Sequence, residues 1–289
     1  METVIGLGEA GCKIADEFAK YPQYQTYKID EGVYTGILDK NTFSIAKQKT
    51  HQQYELQTPD LRAFLGHLGG QVLFVLGGSG NISGCALRVL EQIRHCKINV
   101  LYIEPDIGLL VGDKMLQERA TYYILQEYAR SGLLERLYIV SNPEIEKILD
   151  NVPIIGYYDK LNELVVSTFH MINIYTNIEP VVDNFAQPEE IARISTIGIS
   201  NLENEKKLFF LLDNIKEMKY YYAISRDKLE TDGSLMKKIT ENIKMENDLK
   251  VSYGIFATDY PDDYVYCIVN SSFIVIYSTQ GGSNGSRSR

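Results

Sequence analysis

The sequence predicts an α/β protein built on a parallel, Rossmann-type sheet. Three observations support this prediction: short apolar segments alternate with segments of helical periodicity, two glycine-rich loops each follow an apolar segment, and one long helical pattern spans residues 157–177. Strands that alternate with helices form parallel sheets with helices on both faces. Such sheets bind ligands at the carboxyl ends of their strands, where both glycine loops fall.

The first half of the chain supplies most of this alternation. Apolar runs predict strands at residues 3–7, 25–29, 72–76, 98–103 and 137–140, and helical periodicity predicts helices at 12–20, 59–68, 83–95, 113–131 and 142–149. The helix at 59–68 is predicted because Thr58 is a favourable N-cap and Pro59 suits the first helical position. Residues 32–58 show no clear periodicity, and we expect them to include a loop.

The pattern changes after about residue 195. It predicts helices at 203–217 and 234–244 and strands at 220–224, 251–257, 264–270 and 272–277, which we expect to form a smaller α/β layer packed on the first. The predicted organisation is a nucleotide-binding domain (1–156), a central helix (157–179), a C-terminal domain (180–279) and a tail (280–289). The tail is rich in glycine, serine and arginine and cannot bury apolar surface, so we expect it to be disordered.

Composition narrows the class of protein. The apolar content of 45% suits a soluble core, and the net charge of −9 argues against nucleic acid or an anionic membrane as the main partner. Cys12, Cys85, Cys96 and Cys267 have no metal-ligand spacing and suit reduced thiols. No apolar run approaches the roughly 20 residues that span a bilayer, and the N-terminus has no signal-peptide pattern. We therefore expect a cytoplasmic protein without a metal site of its own.

The two glycine loops are the strongest functional signal. They are Gly6-Leu-Gly-Glu-Ala-Gly11 and Gly77-Gly-Ser-Gly-Asn-Ile-Ser-Gly84. Glycine lets backbone N–H groups approach a ligand, and a following helix start adds free donors and a positive dipole end, so each loop predicts a phosphate site. The first loop also fits a dinucleotide fingerprint, with Asp30 about 20 residues further on as a ribose-binding acid. A Rossmann-type dinucleotide oxidoreductase is therefore one alternative, although a second phosphate loop favours a nucleotide with a longer polyphosphate.

Together with downstream motifs, these loops resemble the tubulin/FtsZ superfamily of filament-forming GTPases. Members carry a glycine turn after the first strand and a Gly-Gly-Gly-Thr-Gly-Ser/Thr-Gly signature after the fourth. Residues 78–84 keep three of the five signature glycines, and Ser79, Asn81 and Ile82 depart from it. Ile103-Glu-Pro105 and Ser141-Asn142 match later family segments. The length of 289 residues indicates a compact, divergent member of bacterial or phage/plasmid type.

The resemblance implies a site for GTP or GDP, with Mg²⁺ bound through the nucleotide phosphates. It places the phosphates against Gly8, Gly11, Cys12, Lys13, Gly77, Gly78, Ser79, Gly80, Asn81, Ile82, Ser83 and Gly84. It assigns selection of the base to Asn142, Tyr158 and Asn162. Tyr158 and Asn162 are four residues apart, so on a helix they share one face and can meet one base.

The resemblance also implies that self-assembly activates hydrolysis. In the family, acids in the loop after the central helix reach the nucleotide of the next subunit in a head-to-tail homopolymer. Here Asp183 corresponds to the first acid, while Gln187 takes the place of the second, with Glu189 or Glu190 as substitutes. An amide orients water but cannot accept its proton as a carboxylate can. A GTPase is therefore expected, with a non-hydrolysing structural or regulatory protein as the alternative and an adaptor or cargo protein as a further partner.

Overall fold

The computed structural model describes residues 2–203, 205–246 and 249–272. Through the first half of the chain, strands and helices alternate as predicted. The elements are β1 (Glu2–Leu7), α1 (Gly8–Phe18), β2 (Tyr24–Gly32), β3 (Gly36–Asp39), β4 (Thr42–Ala46), α2 (His51–Leu56), α3 (Arg62–Leu65), β5 (Gln71–Gly77), α4 (Ala86–Gln92), β6 (Lys97–Glu104), α5 (Asp113–Arg130), β7 (Arg136–Ser141) and α6 (Asn142–Leu149). Short 3-10 helices cover Asn81–Cys85 and Ile107–Leu109.

The second half begins with the long helix α7 (Tyr157–Asn177), whose bounds match the predicted span. The elements that follow are β8 (Val182–Asp183), β9 (Ile194–Ser200), β10 (Lys207–Leu208), β11 (Ile215–Ser225), α8 (Arg226–Thr231), α9 (Leu235–Lys244), β12 (Lys250–Thr258) and β13 (Tyr264–Ser271). The strand predicted at 272–277 lies outside the described residues except for its first residue, and the predicted tail lies wholly outside them.

Within the described ranges, the strands form one sheet in the order β3-β4-β2-β1-β5-β6-β7-β9-β13-β11-β12-β8, with β10 paired to β9. Neighbours from β2 to β7 are parallel, which confirms the predicted α/β class. Contrary to our expectation, the C-terminal strands do not form a separate layer packed on the first. They extend the same sheet, because β9 pairs with β7 at Leu137–Ile194 and Tyr138–Ser195 and satisfies backbone groups at its edge.

The central strands are apolar on both faces because both faces are covered. In β1, Val4 packs with residues of α1 and α7, whereas Ile5 packs with residues of α4 and α5 on the opposite face. In β5, Leu73 lies on the same face as Val4 and Phe74 on the same face as Ile5, and all four side chains are fully buried. Successive side chains of a strand point to opposite faces, so a continuous apolar run is the pattern that a doubly covered sheet requires.

The prediction of a helix at residues 59–68 is wrong in its length, since α3 covers only Arg62–Leu65. The Asp60 carboxylate accepts the N–H of Arg62, the first residue of this short helix, at 2.9 Å. Thr58 does not act as an N-cap. Its hydroxyl donates to the Tyr54 carbonyl at the end of α2, a helix within residues 32–58, where the sequence shows no clear periodicity. Local side-chain bonds to the backbone thus set both boundaries.

The helix predicted at residues 203–217 is also wrong. Residues 207–208 form β10 against β9, and β11 begins at Ile215. Phe209, Phe210 and Leu212 lie between these strands and are buried. Their spacing resembles a helical stripe, but strand pairing with distant residues decides the local structure.

Both glycine loops enter their helices differently from the prediction. The expected turn at residues 8–11 is already helical, because α1 begins at Gly8. The helix expected at 83–95 starts as a 3-10 helix at Asn81 and continues as α4 to Gln92. Each loop therefore passes into helix at the edge of the sheet.

Candidate functional site: a cleft at the carboxyl edge of the sheet

A cleft of about 300 Å³ opens where β1, β5, β6 and β7 end. This is the edge at which parallel sheets bind ligands. Of the residues assigned to the nucleotide from the sequence, those that line the cleft are Lys13, Gly77, Ser79, Asn142, Tyr158 and Asn162. The sequence analysis missed Glu9, Ala10, Ile103 and Pro105, which also line it. Each lies beside the carboxyl end of β1 or β6 and within a segment that the sequence analysis singled out, the first glycine loop or Ile103-Glu-Pro105, without being assigned to the nucleotide.

The first turn of α1 forms one side of this cleft. Residues 8–10 open the helix, so their N–H groups have no acceptor within it, and Leu7 supplies no side-chain cap. Gly8 has φ of +71°, a conformation that glycine adopts without strain. Free donors at the positive end of a helix suit an anion. The Glu9 carboxylate of this turn pairs with the Lys13 ammonium of the next turn at 2.9 Å, which raises the pKa of Lys13.

Gly11 and Cys12 lie one turn further into the helix. A Cβ on Gly11 would come within 2.4 Å of the Val75 carbonyl oxygen, so glycine is needed for α1 to lie against β5. The Cys12 thiol points into the interior, with Sγ 3.6 Å from the Gly6 carbonyl oxygen, and burial raises its pKa to about 12. Contact of these two residues with phosphate stays a prediction.

The second glycine loop is held in shape by Ser83. Its buried hydroxyl oxygen lies 2.7 Å from the Gly80 carbonyl oxygen and 2.9 Å from that of Gly78. The single O–H donates to one of these acceptors at a time. Ser83 therefore closes the loop from within, while Gly77 and Ser79 face the cleft.

Glycine is required at position 78 because the side chains of Tyr102 and Glu118 lie directly beneath it. A Cβ at this position would come within 1.9 Å of the Tyr102 hydroxyl oxygen and 2.3 Å of a Glu118 carboxylate oxygen. Tyr102 donates its hydroxyl to Glu118, and both side chains are buried. This glycine of the signature is therefore needed for packing, in addition to any role toward a ligand.

The residues that depart from the family signature connect the loop to its surroundings. Ile82 is buried, and its Cγ2 would lie 2.7 Å from a Cβ at Gly8, so it joins the two glycine loops. Asn81 Nδ2 donates to the Lys49 carbonyl oxygen at 3.2 Å. Gly84 lies against the His51 carbonyl, whose oxygen would be 2.1 Å from a Cβ at residue 84. Gly80, Asn81, Ile82 and Gly84 thus lie outside the lining of the cleft and support it.

Three polar or aromatic residues from two helices meet at the cleft. Asn142 is the first residue of α6, directly after β7, and Tyr158 and Asn162 lie in the first turns of α7. The Tyr158 side chain is 56% exposed, so its ring has a face available for stacking. Asn142 and Asn162 are half-buried and offer amide donors and acceptors. Their role in selecting a base stays a prediction.

Asp30 is not among the residues that line the cleft. It lies near the end of β2, where its Oδ1 accepts the Glu31 N–H at 2.8 Å. Burial raises the pKa of this carboxyl. The ribose contact on which the oxidoreductase alternative depends therefore finds no support in the geometry of the cleft.

The acidic loop lies beyond the opposite end of α7. Asp183, Gln187, Glu189 and Glu190 are all exposed, and β8, which carries Asp183, pairs with β12. The 21 residues of α7, at a rise of about 1.5 Å each, separate its two ends by roughly 30 Å. The cleft adjoins the first end and the acidic loop follows the second, so these acids do not reach the cleft of their own chain.

Among the residues that the structure describes, no three His, Cys, Asp or Glu side chains cluster as ligands for a metal ion. In the same ranges, no helix combines the length and hydrophobicity needed to cross a membrane. Cys12, Cys85, Cys96 and Cys267 are free thiols, and all but Cys96 are buried.

Solved structures similar to this chain share its fold at low sequence identity. TubZ from Bacillus thuringiensis serovar israelensis, solved as a GTPγS-form protofilament, has a TM-score of 0.69 at 17% identity, covering 94% of this chain and 86% of TubZ. The empty FtsZ dimer from M. jannaschii has a TM-score of 0.65 at 12% identity, covering 93% and 88%. CetZ1 from Haloferax volcanii, a GDP-bound monomer, has a TM-score of 0.66 at 16% identity, covering 94% of each chain.

Sequence comparison gives no further relative, since no protein-family model matches this chain and no curated protein matches it significantly. The structural similarity extends over nearly the whole chain, from the sheet that carries the cleft through α7 to the C-terminal strands. It confirms the resemblance at the level of the fold: this chain has the fold of the tubulin/FtsZ superfamily.

Proposed function

We propose that this protein is a cytoplasmic member of the tubulin/FtsZ superfamily that binds guanine nucleotide in the cleft and assembles head to tail into filaments. The acidic loop of one subunit would complete the nucleotide site of the next and make the protein a GTPase. The observation that carries the proposal is the separation of cleft and acidic loop by the length of α7. A site divided in this way functions only when two copies meet end to end.

The lining of the cleft fits a guanine nucleotide. The free N–H groups of residues 8–10, together with Gly77 and Ser79, suit phosphate oxygens. The exposed ring of Tyr158 offers a stacking surface for a base. Mg²⁺ held by the phosphates would neutralise the charge that develops when the terminal phosphoryl group is transferred to water.

The acidic loop has groups that can accept a proton from that water. The Asp183 Oδ1 accepts the N–H of Phe185 at 3.1 Å, which orients this exposed carboxylate. Gln187 can only orient water, so the base is Asp183 or one of the exposed carboxylates Glu189 and Glu190. We propose Asp183 as the base because it matches the first acid of the family loop.

Exposed apolar side chains at both ends suit a head-to-tail contact. Near the cleft they are Val33, Tyr34, Leu109, Val111, Ile154 and Ile155, and near the acidic loop they are Ile178, Val181, Val182 and Ile191. Because the two sets of side chains differ, a contact between them is heterologous, and a heterologous contact that does not close gives an open filament.

The similar proteins support self-assembly. TubZ structures include GDP-form protofilaments and helical models of two-stranded and four-stranded filaments. An adaptor or cargo protein stays a prediction. The second candidate function is a filament that does not hydrolyse GTP, and Gln187 in place of the second acid favours it.

The first experiment identifies the nucleotide. Protein purified without added nucleotide is denatured, and the released compound is separated by ion-exchange chromatography and identified from its ultraviolet spectrum. GTP or GDP supports the proposal, whereas a nicotinamide or flavin dinucleotide contradicts it. Right-angle light scattering and phosphate release are then followed with GTP over a range of protein concentrations. Activity per subunit should rise with concentration, because each site is shared between two chains; flat signals in both assays would reject the polymerising GTPase.

A mixing experiment tests the divided site directly. Tyr158→Ala impairs the cleft and Asp183→Ala impairs the loop, and each variant alone should release little phosphate. A mixture should recover activity, because an intact loop can meet an intact cleft at some of the mixed contacts. Asp259→Asn is the control, since Asp259 is an exposed aspartate that belongs neither to the lining of the cleft nor to residues 182–190. No recovery in the mixture, despite co-assembly, would contradict the shared site.

A further inference from the structure

An ion pair between the buried Glu217 and the exposed Lys250 holds the middle of the acidic loop. Glu217 of β11 is buried, and its Oε1 accepts both the Lys250 ammonium at 2.9 Å and the Glu189 N–H at 3.0 Å. Its Oε2 accepts from Asn270 Nδ2 at 3.2 Å. Burial opposes ionisation of Glu217, but these hydrogen bonds outweigh it, and the pKa of the carboxyl is lowered. The carboxylate is thus a fixed acceptor for the loop.

Lys250 holds the loop on the other side of Pro188. Its ammonium donates to the Gln187 carbonyl oxygen at 3.0 Å while paired with Glu217. The two partners of one ion pair therefore bind the backbone on both sides of Pro188, which has no N–H of its own. Lys250 binds the carbonyl of Gln187, and Glu217 binds the N–H of Glu189. The positions of the Gln187 and Glu189 side chains follow from this anchoring.

The first part of the loop is held by separate contacts. Asn184 and Tyr253 exchange hydrogen bonds, with Tyr253 N–H donating to Asn184 Oδ1 at 2.7 Å and Asn184 N–H donating to the Tyr253 carbonyl at 3.0 Å. The Lys219 ammonium lies 4.3 Å from the centroid of the Phe185 ring. These contacts fix residues 184–185, so the Glu217–Lys250 pair is the anchor specific to residues 187–189.

The same carboxylate connects the loop to the sheet below the cleft. Asn270, which donates to Glu217, accepts the Arg136 guanidinium at 2.6 Å and the Ser195 hydroxyl at 2.8 Å through its Oδ1. Arg136 is the first residue of β7, the strand whose other end leads into Asn142 at the cleft. Through Asn270, the ion pair that holds the loop is therefore connected to β7 and β9, the strands that join the two halves of the chain.

We infer that Glu217 and Lys250 are positioning residues that hold residues 187–189 in the shape needed to enter the nucleotide site of the next subunit, an inference that rests on the proposed function. Neither residue contacts a nucleotide in this arrangement. They act through the backbone of the loop and set where its side chains stand.

Hydrogen–deuterium exchange of the nucleotide-free chain tests the anchoring without reference to GTP. Lys250→Met and Glu217→Gln should each speed exchange of the Glu189 N–H by about tenfold, the change expected when a charge-assisted hydrogen bond is lost or weakened. The N–H groups of β5 report the global stability and should keep their protection. Unchanged exchange at Glu189 in both variants would overturn the inference.

Phosphate release tests the purpose of the anchor. Lys250→Met should lower kcat at saturating GTP about tenfold and leave the Kd of the monomer for GTP unchanged, because the cleft is roughly 30 Å from the loop. Lys250→Arg keeps the charge and should restore most of kcat. Lys206→Met is the matched control, since Lys206 forms a comparable ion pair with Glu246 and contacts Met218.

The two proposals fail in different ways. If Lys250→Met frees the Glu189 N–H but hydrolyses GTP as fast as wild type, residues 187–189 need no positioning and the inference is wrong while the GTPase stands. If wild type neither binds nor hydrolyses guanine nucleotide, the proposed function is wrong, and with it the catalytic purpose of the anchor. Exchange at Glu189 still decides in that case whether the ion pair holds the loop.

Discussion

Gly8 and Ile82 connect the two glycine loops at the cleft, and their contact can be tested by substitution. Gly8 has φ of +71°, and a Cβ added there would lie 2.7 Å from the Ile82 Cγ2. Gly8→Ala therefore combines two effects, a strained backbone and an overlap with Ile82. Ile82→Ala removes the overlapping methyl group and leaves the strain. The pair of substitutions separates the two effects.

The cost of each effect can be stated from these distances. An alanine in the left-handed region costs about 1–2 kcal/mol, and an overlap in a packed core adds about 1–3 kcal/mol. The smaller entropy of the unfolded alanine chain returns about 0.4–1 kcal/mol. We expect Gly8→Ala to lower the free energy of unfolding by about 2–4 kcal/mol in wild type, but by only about 1 kcal/mol in the Ile82→Ala background.

Urea unfolding followed by circular dichroism measures all four chains of this cycle. The coupling between the two positions should be about 1–3 kcal/mol, with the double variant more stable than additivity predicts. Gly132→Ala is a matched control, because Gly132 also has a positive φ, of +80°, but a Cβ there would contact nothing within 4 Å. A Gly8→Ala cost that is the same in both backgrounds within about 0.5 kcal/mol would refute the proposed contact.

Three further predictions concern the base, the buried carboxylate and the thiols. Tyr158→Ala should weaken GTP binding by about 1–3 kcal/mol, roughly 5-fold to 150-fold by calorimetry, while Tyr158→Phe keeps the ring and most of the affinity; equal losses in both would exclude stacking. The Glu217 carboxyl has its pKa lowered below its ordinary 4.5, so it stabilises the fold above that pH and loses this contribution as the pH falls through the lowered value. Between pH 5 and 3 the free energy of unfolding should therefore fall less in Glu217→Gln than in wild type, as urea titrations at each pH would show, and equal slopes would contradict the shift. Burial raises the pKa of the Cys12, Cys85 and Cys267 thiols to about 12, so at pH 8 a thiol reagent should modify the half-buried Cys96 first. Mass spectrometry of the modified peptide measures this, with Cys96→Ala as the control. Fast modification of Cys12, Cys85 or Cys267 in the native protein would contradict their burial.

Much of the N-terminal fold could be predicted because its signals are local. The apolar run before each glycine loop predicts a strand buried on both faces, and β1 and β5 are such strands. The periodicity of residues 157–177 predicts one helix, and α7 has these bounds. Of the residues predicted to contact the nucleotide, Asp30, Cys12 and Ile82 do not line the cleft, whereas Ala10 and Pro105, which were not assigned to the nucleotide, do. Contact of any of these residues with a nucleotide stays a prediction.

Two of the errors, at residues 203–217 and in the arrangement of the C-terminal strands, arose where contacts between distant residues decide the structure. Residues 207–212 carry a helical stripe, yet Lys207 and Leu208 pair with β9 and Phe209 and Phe210 are buried beside it. The C-terminal strands join the first sheet through the short pairing of β7 and β9, which no local pattern could indicate. Strand pairing satisfies backbone groups of segments far apart in the chain, so a sequence pattern shows that a strand forms but not which neighbour it takes.

Local sequence signals suffice for the α/β class, the position of the glycine loops at the carboxyl ends of strands, and the length of α7, because hydrophobic periodicity and glycine spacing act within one element. What each loop residue does depends on contacts between elements. Ser83 closes the second loop from within, Ile82 packs on Gly8, and Glu217 and Lys250 hold the acidic loop. These roles depend on side chains that meet across elements, and α7 then keeps the acidic loop roughly 30 Å from the cleft of its own chain.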